Sequence, residues 1–240
     1  MKPDTEIDFS EAIRDKSLDD LRFESTKDKW IRESQKDFKY LNINFKTMPL
    51  IEPPKNSSTE TKQELIYIKN FIESDQEELD AESLKAMDHD PARFVYRSLE
   101  DDGYHSKRPD PVYKKDMIWD VMEDANILVM KIKLHFKRAR PYQLAYYHNI
   151  NFKHNKSVAR GSAASPSYPS GHTIAAYFAA YISCDMQPYR SEEFLKRAKM
   201  VADSRIKEGV HFPSDNAYSI FLAEKILMPA FRERYKNGNV

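Results

Sequence analysis

Residues 118–132 read IWDVMEDANILVMKI, with apolar side chains at Ile118, Val121, Met122, Ala125, Leu128, Val129 and Ile132. Steps of three and four residues put them on one stripe, which predicts a long amphipathic helix and a core made by helix packing. The same spacing recurs in Leu65, Ile68, Phe71 and Ile72, behind Thr61 and Glu64 at the separation of a capping box. Asp90 and Pro91 read as an N-cap and first helical residue, with Gly103 closing that helix. Residues 172–186, 191–207 and 214–236 also read as helices, the second opened by Ser191, Glu192 and Glu193. No run alternates with the period of a strand, so the expected class is all-α, a single helical-bundle domain.

The chain has 240 residues, enough for one sizeable core. Lys+Arg and Asp+Glu both number 38, so no global field draws it to nucleic acid or anionic lipid, and any anion site has to be built locally. The mean hydropathy is −0.74, and the most apolar stretch, Thr173 to Ile182, is about half the ~20 residues a membrane span needs. It reads as a buried helix instead. The opening residues, MKPDTEIDFSEAIRD, carry acids where an export signal needs an apolar run, which points to the cytoplasm. The lone Cys184 has no disulfide partner and offers no metal cluster; it is expected to be buried and inert. Residues 52–60, EPPKNSSTE, separate a charge-dense extension, residues 1–58, from a helical domain at 59–240. In the extension Trp30, Ile31, Phe38, Leu41, Ile43 and Phe45 could dock on the main body.

Three segments of the C-terminal half suit a phosphate oxyanion. In KLHFKRARP (133–141), Lys133 and Arg140 stand seven residues apart, two helical turns, so both fall on nearly one face. Pro141 pushes Arg140 to extended backbone, so the helix should end there, freeing a guanidinium fork for two phosphate oxygens. Pro169-Ser170-Gly171-His172 opens a helix, whose unpaired N–H groups and positive dipole end make an anion cradle. In SRIKEGVHFPSD (204–215), Gly209 ends one helix and Pro213 begins the next, leaving His211 on the connection. Asp215 can then fix the imidazole tautomer and leave the other nitrogen free to attack. Each segment has a plainer reading on its own: a solvated basic face with Lys131, Lys137 and Arg138, an ordinary N-cap with a surface histidine, and a structural His–Asp bond. Arg108-Pro109 is a decoy, with Asp101 where the lysine would fall. His89 between Asp88 and Asp90 lacks a partner histidine at metal-ligand spacing, and His105, His135, His148 and His154 have no patterned neighbours.

Together the segments resemble the signature of the type 2 phosphatidic acid phosphatase and vanadium haloperoxidase superfamily, K-x6-R-P, P-S-G-H and S-R-x5-H-x3-D, in order and without departure. The resemblance covers roughly residues 115–235 and implies the family's α-helical bundle, in the manner of its compact acid phosphatases. It implies that His211 is the nucleophile, oriented by Asp215, and that His172 protonates the leaving alkoxide and later activates water. It assigns the phosphoryl oxygens to Lys133, Arg140, Arg205, the Ser170 hydroxyl and the Gly171 N–H. Three cations then replace magnesium, with no metal and no resident cofactor, although phosphate or vanadate could occupy the site. The expected partner is a small-molecule phosphoester, not nucleic acid. The alternatives are a vanadate-dependent haloperoxidase, tested by halide oxidation, and a catalytically silent relative used for binding or structure.

Overall fold

The computed structural model of the chain describes residues 17–74, 81–101 and 115–236, which therefore leaves Gly103 and Arg108-Pro109 outside the described residues. Among them the chain is helical, with no strand and no sheet; the one β-like contact is an isolated bridge between Arg22 and Arg138. The helices are α1 (Asp28–Gln35), α2 (Thr59–Glu73), α3 (Ala81–His89), α4 (Pro91–Asp101), α5 (Lys115–Phe136), α6 (Pro141–Leu144), α7 (Lys156–Arg160), α8 (Gly171–Met186), α9 (Ser191–Lys207), α10 (Pro213–Leu222) and α11 (Met228–Lys236). None of the described helices is long and apolar enough to cross a membrane.

At the centre stands α8, apolar on almost every side and packed by α4, α5, α9 and α10. Its small residues Ala176, Ala179 and Ala180 are buried and let neighbouring helices close in, while Phe178 meets Phe231 edge-on at 6.0 Å between centroids. The stripe predicted for α5 faces the same core, with Ile118, Val121, Ala125, Leu128, Val129 and Ile132 all buried.

Several ends differ from the sequence reading. Ser58, not Thr61, caps α2 by accepting from the Thr61 N–H at 3.1 Å, and the Thr61 hydroxyl donates to the Lys55 carbonyl. Glu64 is thereby released from capping for use elsewhere. Helix α5 stops at Phe136, short of Arg140, because Lys137 turns into the left-handed region at φ 49°. Arg140 is extended as Pro141 requires, but it caps α6; it does not share a helix face with Lys133. The stretch 213–236 is not one α-helix: a π-helical turn at Ala223–Leu227 precedes Pro229, which lacks an N–H to donate to the preceding turn. Cys184 is half-buried rather than buried, and burial pushes its thiol pKa up.

Residues 17–58 lie against the domain. The Asp124 carboxylate of α5 accepts the backbone N–H groups of Lys39, Tyr40 and Leu41 at 2.8, 2.7 and 2.6 Å. Leu41 is buried, and Trp30, Phe38, Ile43 and Phe45 pack on the core, whereas Ile31 stands exposed.

Candidate active site

A cavity of about 410 Å³ opens between α5, α8 and the connections that follow α5, α7 and α9, and its lining includes Lys133, Arg140, Gly171, His172 and His211. The three sequence segments therefore meet at one place. Their convergence depends on two helix starts and two helix ends. Ser170 caps α8, accepting from the Thr173 N–H at 3.3 Å, and this sets Gly171 and His172 in the first turn. Gly209, at φ +68°, ends α9; a Cβ there would stand 2.9 Å from Phe152 Cε2, so both backbone and space call for glycine. Pro213 then starts α10 and leaves His211 on the short connection.

His211 is buried and held on both ring nitrogens. Its Nδ1 lies 3.0 Å from Asp215 Oδ2 and its Nε2 lies 2.9 Å from Arg140 Nη1. Because Arg140 can only donate, the consistent tautomer carries its proton on Nδ1, bonded to Asp215, with the Nε2 lone pair turned toward the guanidinium. Burial first, and the charge of Arg140 second, hold the imidazole pKa well below its ordinary value.

Asp215 is a hub with 0% exposure. Besides His211 it accepts from the Ser167 hydroxyl, the Phe212 N–H at 2.9 Å and Arg138 Nη1 at 2.7 Å. Burial opposes its charge, yet Arg138 and these donors outweigh burial and hold the carboxyl well below the usual range. Arg138 in turn donates to Glu64 Oε2 at 3.0 Å and lies 4.0 Å from the centre of the Phe212 ring. Glu64 Oε1 accepts the Ser214 N–H at 2.6 Å, so α2 grips the start of α10. Arg138 is therefore no part of a solvated basic face; it is 3% exposed.

The cations of the site are costly where they stand. Lys133 is buried and donates to the carbonyls of Pro166 and Ser167, and burial followed by the charge of Arg140 pushes its pKa well down. Burial brings Arg140 down to about 10, and its other donors go to the carbonyls of Ser165 and Val210 at 2.9 and 2.8 Å. A dianion between them would relieve both the lost hydration and the mutual repulsion.

His172 forms part of the cavity wall, with Nε2 3.0 Å from the Asp88 carbonyl and 3.4 Å from Asp88 Oδ1; burial, then Arg205, lowers its pKa. Arg205 is paired with Asp88 Oδ1 at 2.7 Å and with Glu208 at 2.6 Å. Thr173 Oγ1 gives its proton to Asn216 Oδ1 at 2.8 Å and so accepts from the Ser170 hydroxyl at 2.9 Å. Asp88, which also accepts from Ser162 Oγ at 2.7 Å, is the principal residue that sequence reading missed. It lies outside every motif and reaches the site only through the fold. Among the described residues no group of three or more His, Cys, Asp or Glu is placed to hold a metal ion.

Residues 122–238 match the model of the PAP2 superfamily, a span that runs from α5 to α11 and contains every motif residue named above. A protein described as a non-specific acid phosphatase, from Providencia stuartii, is 28% identical over 112 residues, 44% of this chain and 44% of that protein. The chain thus matches less than half the length of that curated relative.

Proposed function

We propose, from the premise that residues 122–238 form a PAP2 superfamily domain, that the chain hydrolyses phosphate monoesters through a phosphohistidine on His211. The observation that carries this reading is the state of His211: one nitrogen is tied to Asp215, the other holds a lone pair, and two buried cations stand at the same cavity. Nε2 attacks phosphorus, the P–O bond to the alcohol breaks, and its electron pair leaves with the oxygen, which takes a proton from His172. Water then gives a proton to His172 and attacks phosphorus, the P–N bond breaks, and phosphate departs. For Nε2 to attack, Arg140 has to move from the ring nitrogen to a phosphoryl oxygen, so substrate binding itself uncovers the nucleophile. Lys133, Arg140 and Arg205, with the Ser170 hydroxyl and the Gly171 N–H, stabilise the equatorial charge without a metal.

Rapid quenching with labelled nitrophenyl phosphate separates the two histidines. His172→Ala keeps the nucleophile, and nitrophenolate leaves without a proton, so an acid-labile phosphoenzyme should accumulate because water is no longer activated. His211→Ala should give no label. Label on His211→Ala alone would exchange the two roles, and label on neither variant nor wild type would mean direct attack by water. Turnover is also expected to survive chelation and to be inhibited competitively by orthovanadate; loss with EDTA and recovery with magnesium would overturn the metal-free reading.

A further inference from the structure

The cavity is larger than the group it is proposed to cleave. A phosphoryl group would occupy the part lined by Lys133, Arg140, Gly171 and His211; Ser165 is bonded to Arg140, and Asp88 to Ser162 and Arg205. Much of the remaining lining is apolar: Trp30 from α1, Met122, Val129 and Met130 from α5, and Ile174 from α8. Trp30 belongs to a segment outside the matched domain, so the wall it builds is a feature of this chain's extension.

That wall is anchored. Lys131 Nζ of α5 donates to the Ser34 carbonyl in the last turn of α1 at 2.9 Å, and Lys27 Nζ donates to the Arg160 carbonyl at 3.2 Å. The Asp124 clamp then holds the chain just after α1. Lys29 lies 4.2 Å over the Trp30 ring. The Trp30 indole Nε1 is buried without a hydrogen-bond partner among the described residues, a donor left over beside an apolar cavity.

We infer that Trp30, with Met122, Val129, Met130 and Ile174, forms a leaving-group subsite that selects phosphomonoesters whose alcohol carries a compact aromatic body. The inference rests on the phosphatase reading of the same cavity. An indole and two thioethers favour a ring, which they can meet face to edge and through sulfur. Lys29, His89 and Asn126 add polar edges to the same lining. A total of about 410 Å³, phosphate included, suits one ring system.

The test compares 2-phenylethyl phosphate with ethyl phosphate, whose alcohols are of similar basicity, on the full chain. Wild type should show kcat/KM about ten-fold higher for the phenylethyl ester, and Trp30→Ala should remove most of that ratio. Met122→Ala should lower it in the same direction, and it carries the test if Trp30→Ala does not fold. A wild-type ratio near one, or a proportional fall on both esters in the variants, overturns the subsite while the phosphatase reading stands. A preference for dodecyl phosphate over the phenylethyl ester overturns the compact aromatic occupant. Hydrolysis of neither ester, with no phosphoenzyme from nitrophenyl phosphate, overturns the phosphatase reading beneath it.

Discussion

At the scale of single residues the site depends on Asp215 staying charged while buried, and Arg138 is what permits it. Their contact is 2.7 Å, with Glu64 balancing the far side of the guanidinium. Arg138→Met would leave two carboxylates buried without their cation, a loss expected to cost about 3–5 kcal/mol of stability. It should also let the Asp215 pKa rise. A carboxylate whose folded pKa is depressed works down to low pH, so raising that pKa moves the acid limb of kcat/KM to higher pH; Arg138→Lys should restore part of the shift. An Arg138 that only packs would lower the melting temperature and leave the limb in place. Gly171→Ala is a milder test: its Cβ would meet Val129 at 3.5 Å, ordinary contact, so stability should hold while competitive inhibition by phosphate weakens. That Lys133, Arg140, His172 and His211 line one cavity was legible from the three short motifs that carry them, although the seven-residue step from Lys133 to Arg140 did not put the two on one helix face. Arg138, Glu64 and Asp88 were not, because their meaning comes from partners 74 to 150 positions away.

At the scale of elements the periodicity of α5 and the apolar run of α8 announced two buried helices, since burial on one stripe or on all sides is written in the order of residues. What stayed hidden were places where one residue overrides the period, as Lys137 does with its positive φ and Pro229 does within the C-terminal helix. Attachment of the extension was half legible. Its aromatic residues suggested docking, but nothing marked Asp124 as the acceptor for three successive N–H groups. Asp124→Ala leaves those donors without their charged partner and is expected to cost about 3 kcal/mol, a fall of roughly 6–12 °C in melting temperature. Because the same clamp holds the chain that follows α1, the variant should raise KM for the phenylethyl ester more than for the ethyl ester. Equal effects on both would mean that the clamp stabilises the fold without shaping the cavity.

At the scale of the whole molecule, a chain of zero formal net charge concentrates positive charge at one cavity, and this sets the pH at which it can work. Burial and the neighbouring guanidinium groups lower the pKa of both His211 and His172 below the ordinary 6.5, His211 by more. The nucleophile must be neutral, so a lowered pKa keeps it competent on the acid side. The leaving-group acid must be protonated, and its lowered pKa makes that form scarce by neutrality. The profile of kcat/KM should therefore be a bell lying below pH 6.5, its alkaline limb set by His172 in the free enzyme. The same shifts oppose folding there. A base whose folded pKa is depressed contributes stability that is present above its unfolded value and is lost as pH falls through the folded one. Melting temperature should thus fall as the solution is taken from pH 7 toward the pH of best turnover. Inorganic phosphate, which pairs Lys133 and Arg140, should recover part of it, and more at acid than at neutral pH, since protonated histidines favour the anion. Scanning fluorimetry across pH with and without phosphate measures both effects. A melting temperature flat from pH 7 to 5, or a phosphate effect that grows toward alkaline pH, would show that the two histidines are not held neutral by burial and the guanidinium groups.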